Sequence, residues 1–356
     1  MIKAKKSIGI AGTAKNTGKT TATVALLNHF HARGVDLGLT SIGYDGESID
    51  NVTGLPKPRI YVPKGIKVVT AERCLGVSSA KIGVKEQLDI NTPLGKLVCG
   101  VVEREGLLVT AGPNQSTHLK QAKHWLYENG VELVVVDGAL NRISPMVETD
   151  GLILATGAAF RLDTSELAAH AHYIAKICRY PGSDGVAEKF LDSTRTIVWD
   201  QAGEILARTN QSLLEPGQLG PLQPAAARAA GFYCPGVIMP QCLKKLMQMP
   251  FPDSTNYVFA DPIKTIIGND LELVHDFLAE IDRRGGVFRY KRAVPLLAVT
   301  VNPYYPKFRY ETNNYEPAFV DRDSLLANVA AKIDVPAFDI VAEGCEKLAE
   351  TVVFND

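Results

Sequence analysis

Short apolar runs alternate with helix-length segments over the first half of the chain. Residues 7–11 form an apolar run, and Val24, Leu27 and Phe30 then recur at helical spacing within residues 18–33. Because parallel strands need crossover connections, this alternation predicts an α/β domain: a parallel sheet with helices on both faces. The further segments that the same patterns predict to be strands or helices are 37–43, 116–126, 133–136, 151–155 and 165–179.

Between residues 54 and 112 the apolar segments become shorter and are separated by breaks. IYV, GIKVV, GKLVCGVV and GLLVTAG each have about the length of a short strand. This stretch is therefore predicted to insert β-hairpins into the first domain.

The segment RYPGSDG, at residues 179–185, has the Pro, Gly and Asp content of a linker. We place a domain boundary there, which gives a first domain of residues 1–182 and a second α/β domain of residues 186–356. In the second domain TIVWDQAGEILART predicts a hairpin, DLELVHDFLAEIDRR predicts a helix, and GVIM, NYVFA, PLLAVTV and AFDIV predict strands. No motif in this domain indicates a chemistry, and binding of a partner is the role left open for it.

Composition narrows the class of protein. The 38 Lys and Arg residues nearly balance the 39 Asp and Glu residues, so no general attraction to nucleic acid or anionic lipid is expected. No apolar stretch approaches the ~20 residues of a membrane helix, and the first apolar run leads into a glycine-rich motif, which is not typical of a signal peptide. The six cysteines form no C-x-x-C pair and are expected to be reduced. These features predict a cytoplasmic protein.

The loop after the first predicted strand reads GTAKNTGKTT and ends in the G-K-T of a phosphate-binding P-loop. Gly18 permits backbone N–H groups at the start of a helix to approach phosphate oxygens closely. Lys19 is expected to reach the β- and γ-phosphates, and the Thr20 hydroxyl to take one position around magnesium. The loop therefore predicts binding of a nucleoside triphosphate such as ATP, together with Mg²⁺.

The other loop residues predicted to bind the nucleotide are Gly12, Thr13, Lys15, Asn16, Thr17 and Thr21. In the usual P-loop pattern the first glycine lies five positions before the second, where this chain has Thr13, and Gly12 lies one position earlier. Lys15 has two interpretations. It contacts phosphate from its own or a neighbouring subunit, or it is a solvated loop lysine.

Acidic residues follow two of the predicted strands. LVVVD ends in Asp137, where a carboxylate that binds magnesium directly or through water is expected. Asp45 and Glu47, in GYDGES, are further candidates for the metal, and Asp45 is also a candidate for orienting the attacking water. The alternative for Asp45 is a residue that caps a glycine-flanked turn. The predicted catalytic residues are thus Lys19, Asp45 and Asp137, and Arg142 is either an arginine that stabilises transition-state charge or a surface residue.

The wide glycine spacing of GTAKNTGKTT resembles the P-loop of the dethiobiotin synthetase and cobyrinate amidase group. Over about the first 160 residues, this resemblance implies a SIMIBI-type P-loop fold and a homodimer. The substrate side departs from the synthetases, since Tyr44 is followed by Asp45 where they carry a lysine, and DGALN replaces their E-G-A-G-G.

Three longer segments resemble the lysine 5,6-aminomutase reactivase family over nearly the full length of the chain: TPLGKLVCGVVEREGLLVTAGPNQ, VVVDGALNRISP with LATGAAF, and VTVNPYYP with VPAFDIV. This resemblance implies an ATPase that helps an aminomutase dependent on adenosylcobalamin and pyridoxal phosphate by expelling damaged cobalamin. The partners it implies are the aminomutase and a second reactivase subunit.

The sequence therefore leaves three candidate functions, each with a different expected behaviour. An ATP-driven, chaperone-like reactivating factor predicts hydrolysis that increases with a protein partner. An ATP-dependent ligase or kinase that acts on a small carboxylate or amine predicts hydrolysis that depends on a metabolite; the P-loop spacing favours it, and the missing lysine after the second strand counts against it. A nucleotide-gated regulator predicts tight binding without phosphate release.

Overall fold

A computed structural model describes residues 5–43, 60–140 and 143–353 of the chain. In chain order the strands are β1 (Lys6–Gly12), β2 (Leu37–Ser41), β3 (Ile60–Val62), β4 (Lys67–Ala71), β5 (Lys81–Thr92), β6 (Gly95–Arg104), β7 (Gly106–Leu108), β8 (Leu133–Ala139), β9 (Gly151–Gly157), β10 (Ile197–Trp199), β11 (Ile205–Arg208), β12 (Gly231–Cys234), β13 (Asn256–Phe259), β14 (Val287–Tyr290), β15 (Leu296–Asn302), β16 (Tyr304–Arg309), β17 (Asn314–Phe319) and β18 (Ala337–Phe338). The α-helices are α1 (Lys19–His31), α2 (Glu72–Gly76), α3 (Ser116–Glu128), α4 (Thr164–Cys178), α5 (Gln223–Ala226), α6 (Pro240–Gln248), α7 (Pro262–Ile266), α8 (Leu271–Arg284), α9 (Arg322–Ala330), α10 (Ile340–Glu343) and α11 (Glu346–Val352).

The larger sheet has nine strands within the described residues, in the order β18-β15-β9-β1-β8-β2-β4-β6-β5. The pairs from β18 to β4 are parallel, and β6 and β5 add an antiparallel edge. The prediction of an α/β protein with a largely parallel sheet is confirmed. Because β1 lies between β8 and β9, the loop after β1 emerges near the middle of the carboxyl edge, where open α/β sheets bind ligands.

Apolar packing fixes the two elements that flank this loop. In α1, Ala22, Leu26 and Phe30 recur every four residues, so one side of the helix is apolar. These side chains join one buried cluster with Ile8 and Ile10 of β1. Full burial of such a side chain contributes about 1.5–3 kcal/mol. Both ends of the loop are therefore attached to well-packed elements.

The predicted hairpins between residues 54 and 112 form only in part. β5 and β6 make an antiparallel hairpin, whereas β4 joins the larger sheet parallel to β2. β3 and β7, which contain IYV and part of GLLVTAG, pair with each other and not with their chain neighbours. The local sequence thus predicted strands here but not which strands pair.

The chain divides into two compact units, and the first comprises Met1–Ala171 and Leu296–Asp356. The sequence-based division differs, because it assigns all of residues 186–356 to a second domain. The physical reason is strand pairing, since β15 pairs with β9 and β18 continues the same sheet. Within AFDIV the strand is short, and α10 begins at Ile340.

The second unit, His172–Pro295, contains a mixed sheet in the order β11-β10-β12-β13-β14. β12, β13 and β14 are parallel to one another, and β10 pairs antiparallel with both β11 and β12. The predicted hairpin in TIVWDQAGEILART corresponds to β10 and β11. GVIM, which was expected to be a strand, makes only an isolated bridge from Ile238 to Leu214, and the strand of this region is β12, in GFYC.

The six cysteines are free thiols, and Cys345 alone among them is partly exposed. Burial raises the pKa of Cys99 and of Cys178 to about 12, so these thiols are protonated at neutral pH and poorly reactive. In the part of the chain that the structure describes, no helix combines the length and apolar character required to cross a membrane.

Candidate functional site

The loop between β1 and α1 has a backbone shape suited to an anion. Asn16 and Gly18 have positive φ angles, of 63° and 86°, with Thr17 between them. When φ alternates in sign, successive backbone N–H groups turn toward one side of the chain and form a concave anion-binding nest. Glycine adopts positive φ without the steric cost of a Cβ, and Asn tolerates it better than most residues do.

Gly18 is the N-cap of α1. Because glycine has no side chain, the N-cap residue offers no side-chain acceptor to the N–H groups of the first helical turn. Ala22 N donates to Gly18 O at 2.9 Å, so the N–H groups of residues 19–21 precede the intrahelical hydrogen bonds. Together with the positive end of the helix dipole, these N–H groups favour a bound phosphate.

Two threonines hold the loop in shape. The Thr13 N–H donates to Ala155 O at 3.0 Å, and the Thr13 hydroxyl lies 3.1 Å from the hydroxyl oxygen of Thr156. The buried Thr17 hydroxyl donates to Ala14 O at 2.9 Å. Thr13 and Thr17, two of the four threonines predicted to bind the nucleotide, therefore direct their hydroxyls into the protein.

The first glycine of the loop, Gly12, lies where space for a side chain is limited. A Cβ at this position would lie 3.3 Å from Lys19 Cδ and 3.3 Å from Thr17 Oγ1. That separation is shorter than ordinary van der Waals contact, so a larger residue would displace the Lys19 side chain. The glycine keeps space for the lysine.

Lys19, Thr23 and Asp137 form a polar cluster where α1 meets the carboxyl end of β8. Lys19 Nζ makes a salt bridge with Asp137 Oδ2. The Thr23 hydroxyl lies 3.1 Å from Asp137 Oδ1 and 3.1 Å from Lys19 O, and can donate to either acceptor. Asp137 is only 7% exposed, so the lysine and the hydroxyl offset the cost of burying its carboxylate.

Ser41 lies next to Asp137 across the sheet. The two residues are Cα partners in the β2–β8 register, and Ile42 N donates to Asp137 O at 2.8 Å. The Ser41 hydroxyl is buried and has no hydrogen-bond partner among the described residues. A bound water or ligand oxygen at this edge would satisfy it.

Asn302, at the end of β15, reaches the loop from the other side of β1. Its Nδ2 donates to Asn16 O at 2.8 Å, and its Oδ1 accepts from Tyr304 N at 3.2 Å. The strand order places β15 beside β9, which is itself beside β1. A residue far along the sequence therefore contributes directly to the loop near the N-terminus.

The remaining predicted residues have different outcomes. Thr20 lies in the first turn of α1 and is half-buried, whereas Lys15 and Thr21 are exposed. The predicted metal-binding residues Asp45 and Glu47 lie outside the described residues. Arg142 also lies outside them.

The donors at this edge have the chemistry that magnesium with a polyphosphate requires. Magnesium prefers hard oxygen ligands and is usually held by one or two protein side chains plus phosphate oxygens. Asp137 and Thr20 supply a carboxylate and a hydroxyl on adjoining elements. Among the described residues no group of three or more His, Cys, Asp or Glu side chains could hold a metal ion. The residues present thus fit a metal bound together with phosphate rather than a closed protein site.

Thr23, Ser41 and Asn302 were not among the residues predicted from the sequence. Thr23 lies four residues after Lys19, so the helical period alone could have placed both on one side of α1. Asn302 ends the apolar run PLLAVTV as Asp137 ends LVVVD. Assignment of PLLAVTV to the first sheet would have made Asn302 a candidate for the site, because Asn302 follows this strand at its carboxyl end.

Comparison with known proteins gives little further information. No protein-family model matches the chain, and no curated protein matches it. Among solved structures, the chain is similar to a nucleotide-binding protein from Archaeoglobus fulgidus in complex with ADP, at 9% sequence identity and a TM-score of 0.28, with 98% of this chain and 88% of that chain covered. A likeness at this level carries no argument about function, which must come from the geometry of the loop and its neighbours.

Proposed function

We propose that the chain binds a nucleoside triphosphate with Mg²⁺ at the loop between β1 and α1, and that it hydrolyses the terminal phosphate. The observation that carries this proposal is the pairing of Lys19, in the first turn of a glycine-capped helix, with Asp137 at the end of the neighbouring strand. The edge where α/β sheets bind ligands thus has the Lys19 side chain, the backbone N–H groups at the start of α1 and the Asp137 carboxylate close to one another.

Each residue has a role set by its charge and position. Lys19 and the N–H groups of residues 18–21 bind phosphate oxygens, and Asp137 and Thr20 hold magnesium. The metal supplies positive charge against the terminal phosphates. Lys19 makes a salt bridge with Asp137, so a bound phosphate competes with the Asp137 carboxylate for the lysine and exchanges this salt bridge for one between lysine and phosphate. Asp45 remains the candidate for orienting the attacking water, with Glu47 as a further carboxylate near the metal.

ATP-driven reactivation of a cobalamin-dependent aminomutase is the finer proposal. It is supported by the sequence resemblance, and slow hydrolysis by the isolated protein is its expected behaviour. Phosphate release should then rise when an aminomutase loaded with inactive cobalamin is added. If only a small carboxylate or amine stimulates release, the ligase or kinase alternative is favoured; tight binding with no release in any mixture favours a regulator.

Replacement of Lys19 tests the site itself. Lys19→Ala should weaken binding of ATP with Mg²⁺ by about 30-fold or more, because loss of a buried charge contact costs about 2 kcal/mol or more. Calorimetric titration measures the affinity, and circular dichroism measures whether the variant is folded. Lys96→Ala is the matched control, since Lys96 pairs with Asp89 on the exposed β5–β6 hairpin and should leave the affinity unchanged.

Replacement of Asp137 separates the metal from the phosphate. Asp137→Asn releases Lys19 from its salt bridge while removing the carboxylate, so magnesium should no longer strengthen binding, whereas metal-free ATP should still bind. A folded Lys19→Ala protein with the affinity of the original chain would rule out the site. An Asp137→Asn protein that keeps its full magnesium dependence would remove Asp137 from the proposed metal site.

A further inference from the structure

Asn302 uses both ends of its side-chain amide. The Nδ2 group donates to the carbonyl of Asn16 at 2.8 Å, and Oδ1 accepts from Tyr304 N at 3.2 Å. Asn16 lies 286 residues before Asn302 in the sequence, whereas Tyr304 lies two residues after it. One amide thus joins the phosphate-binding loop to the start of the β16–β17 ribbon.

The backbone of Asn302 is fixed independently of these contacts. Ala158 N donates to Asn302 O at 2.9 Å, and a Cβ at Gly157 would lie 2.2 Å from the same oxygen. A Cβ at Gly18 would in turn lie 3.3 Å from Asn302 Cβ. The asparagine therefore stands on a rigid strand end and fits closely against the N-cap of α1.

The contact falls on the strained part of the loop. Asn16 has a φ of 63°, a left-handed conformation that costs free energy in any residue with a Cβ. A hydrogen bond to its carbonyl oxygen fixes the orientation of the peptide group between Asn16 and Thr17. That peptide group precedes the N–H groups of residues 18–21, so its orientation determines whether the nest is formed.

We propose that Asn302 is a positioning residue, which holds the loop between β1 and α1 in its phosphate-binding conformation before the nucleotide arrives. This inference rests on the proposed function for its consequence, because a preformed loop lowers the ordering cost of binding. Its effect should be shared by ATP and ADP, since both have phosphates that reach the loop amides. It should not depend on magnesium, because Asn302 contacts the loop and not Asp137.

The test compares Asn302→Asp and Asn302→Ala with the original chain. Aspartate keeps the shape and the acceptor for Tyr304 N but places an acceptor against Asn16 O, and alanine removes both groups. Asn129→Asp is the matched control, because Asn129 Nδ2 donates to Trp125 O at 2.9 Å on α3. The first measurement is hydrogen exchange of the backbone amides of residues 13–19 in protein without nucleotide. The second is the dissociation constant of ADP and of ATP.

In both Asn302 variants the backbone amides of residues 13–19 should exchange about tenfold faster than in the original chain. Both variants should also bind ATP and ADP about tenfold more weakly, and this loss of affinity is equivalent to about 1.4 kcal/mol. Saturating nucleotide should restore slow exchange, and Asn129→Asp should change neither measurement. A purely structural role would instead lower the melting temperature with exchange raised throughout the unit. Unchanged loop exchange in a folded Asn302→Ala protein would overturn the proposal. Absence of nucleotide binding by the original chain would refute the proposed function while leaving the exchange comparison valid.

Discussion

Lys19 and Asp137 neutralise each other at the edge of the sheet. Because Asp137 is almost fully buried, removal of the lysine leaves a carboxylate whose remaining side-chain donor, among the described residues, is the Thr23 hydroxyl. Removal of one partner of a buried salt bridge is costly for this reason, whereas a bound metal ion could replace the lysine charge. Under the proposed function, phosphate therefore competes with the Asp137 carboxylate for Lys19.

His170 gives a prediction about pH. Burial, assisted by the Arg161 charge, lowers its pKa from 6.5 to about 4, and its Nδ1 has no hydrogen-bond partner among the described residues. The neutral ring packs against Phe160 with a centroid separation of 4.6 Å. As pH falls from about 6.5 to about 4, the unfolded chain binds a proton at this residue and the folded chain does not, so stability decreases.

His170→Gln should remove this part of the pH dependence. Urea unfolding at a series of pH values measures the free energy of unfolding. Between pH 6.5 and 4 this free energy should fall less in His170→Gln than in the original chain, by on the order of 2 kcal/mol. Asn129→Gln is the control, because an asparagine side chain does not ionise between pH 6.5 and 4 and this substitution should leave the profile unchanged. Parallel pH profiles for His170→Gln and the original chain would show that His170 does not titrate as expected.

At the scale of elements, β2 and the segment after β7 approach each other without room for a side chain. A Cβ at Gly112 would lie 1.7 Å from Ser41 O, next to Asp137 in the sheet register. Gly112→Ala should therefore destabilise the protein by about 1–3 kcal/mol through overpacking, and should weaken nucleotide binding by moving β2. Denaturant midpoints and calorimetric titration measure the two effects.

Gly76→Ala serves as the control for this substitution. A Cβ at Gly76 would meet no atom within 4 Å, and its φ is not in the left-handed region. Its stability should remain equal or rise by up to about 1 kcal/mol, because alanine restricts the unfolded chain. Equal midpoints for Gly112→Ala and Gly76→Ala would argue against the close approach at Ser41.

The sequence predicted the central elements well. β1 and β8 are buried apolar runs, and α1 has apolar residues at helical spacing. These patterns are local, so they can be recognised without knowledge of which strands pair. β5 was not predicted, although Ile82, Val84, Leu88 and Ile90 stand at alternate positions and only Glu86 interrupts the pattern; most residues of this strand are exposed. β12 was also not predicted. Its segment GFYC is short, and the apolar segment GVIM that follows it has a stronger local pattern.

The candidate site was predictable only where it is local. The residues from Gly12 to Thr21 follow one another in a motif, and Asp137 ends an apolar run, so both could be identified without knowledge of pairing. Asn302 and Ser41 acquire their positions from strand order, which periodicity does not encode. Their contribution therefore became visible only in the three-dimensional arrangement.

At the scale of the whole molecule, the first unit is built from two separate stretches of chain. β9 has β1 on one edge and β15 on the other, and all of its residues are buried. A fragment of residues 1–182, which the linker composition favoured as a domain, would leave one edge of this apolar strand unpaired. Such edges associate with other chains.

The 1–182 fragment should therefore form larger assemblies than the full chain does at the same concentration. It should also fail to bind nucleotide, which the full chain should bind. Size-exclusion chromatography with light scattering measures association, and calorimetric titration measures binding. A monomeric 1–182 fragment that unfolds cooperatively and binds ATP would show that β15 is dispensable.

The contact between Asn16 and Asn302 also orders events during protein synthesis. The ribosome makes the loop between β1 and α1 first, and it adds Asn302, at the end of β15, 286 residues after Asn16. Throughout that interval the loop lacks its hydrogen-bond donor, and β9 lacks its outer neighbour. If the loop binds nucleotide as proposed, the affinity should consequently develop only after residue 302 has been made.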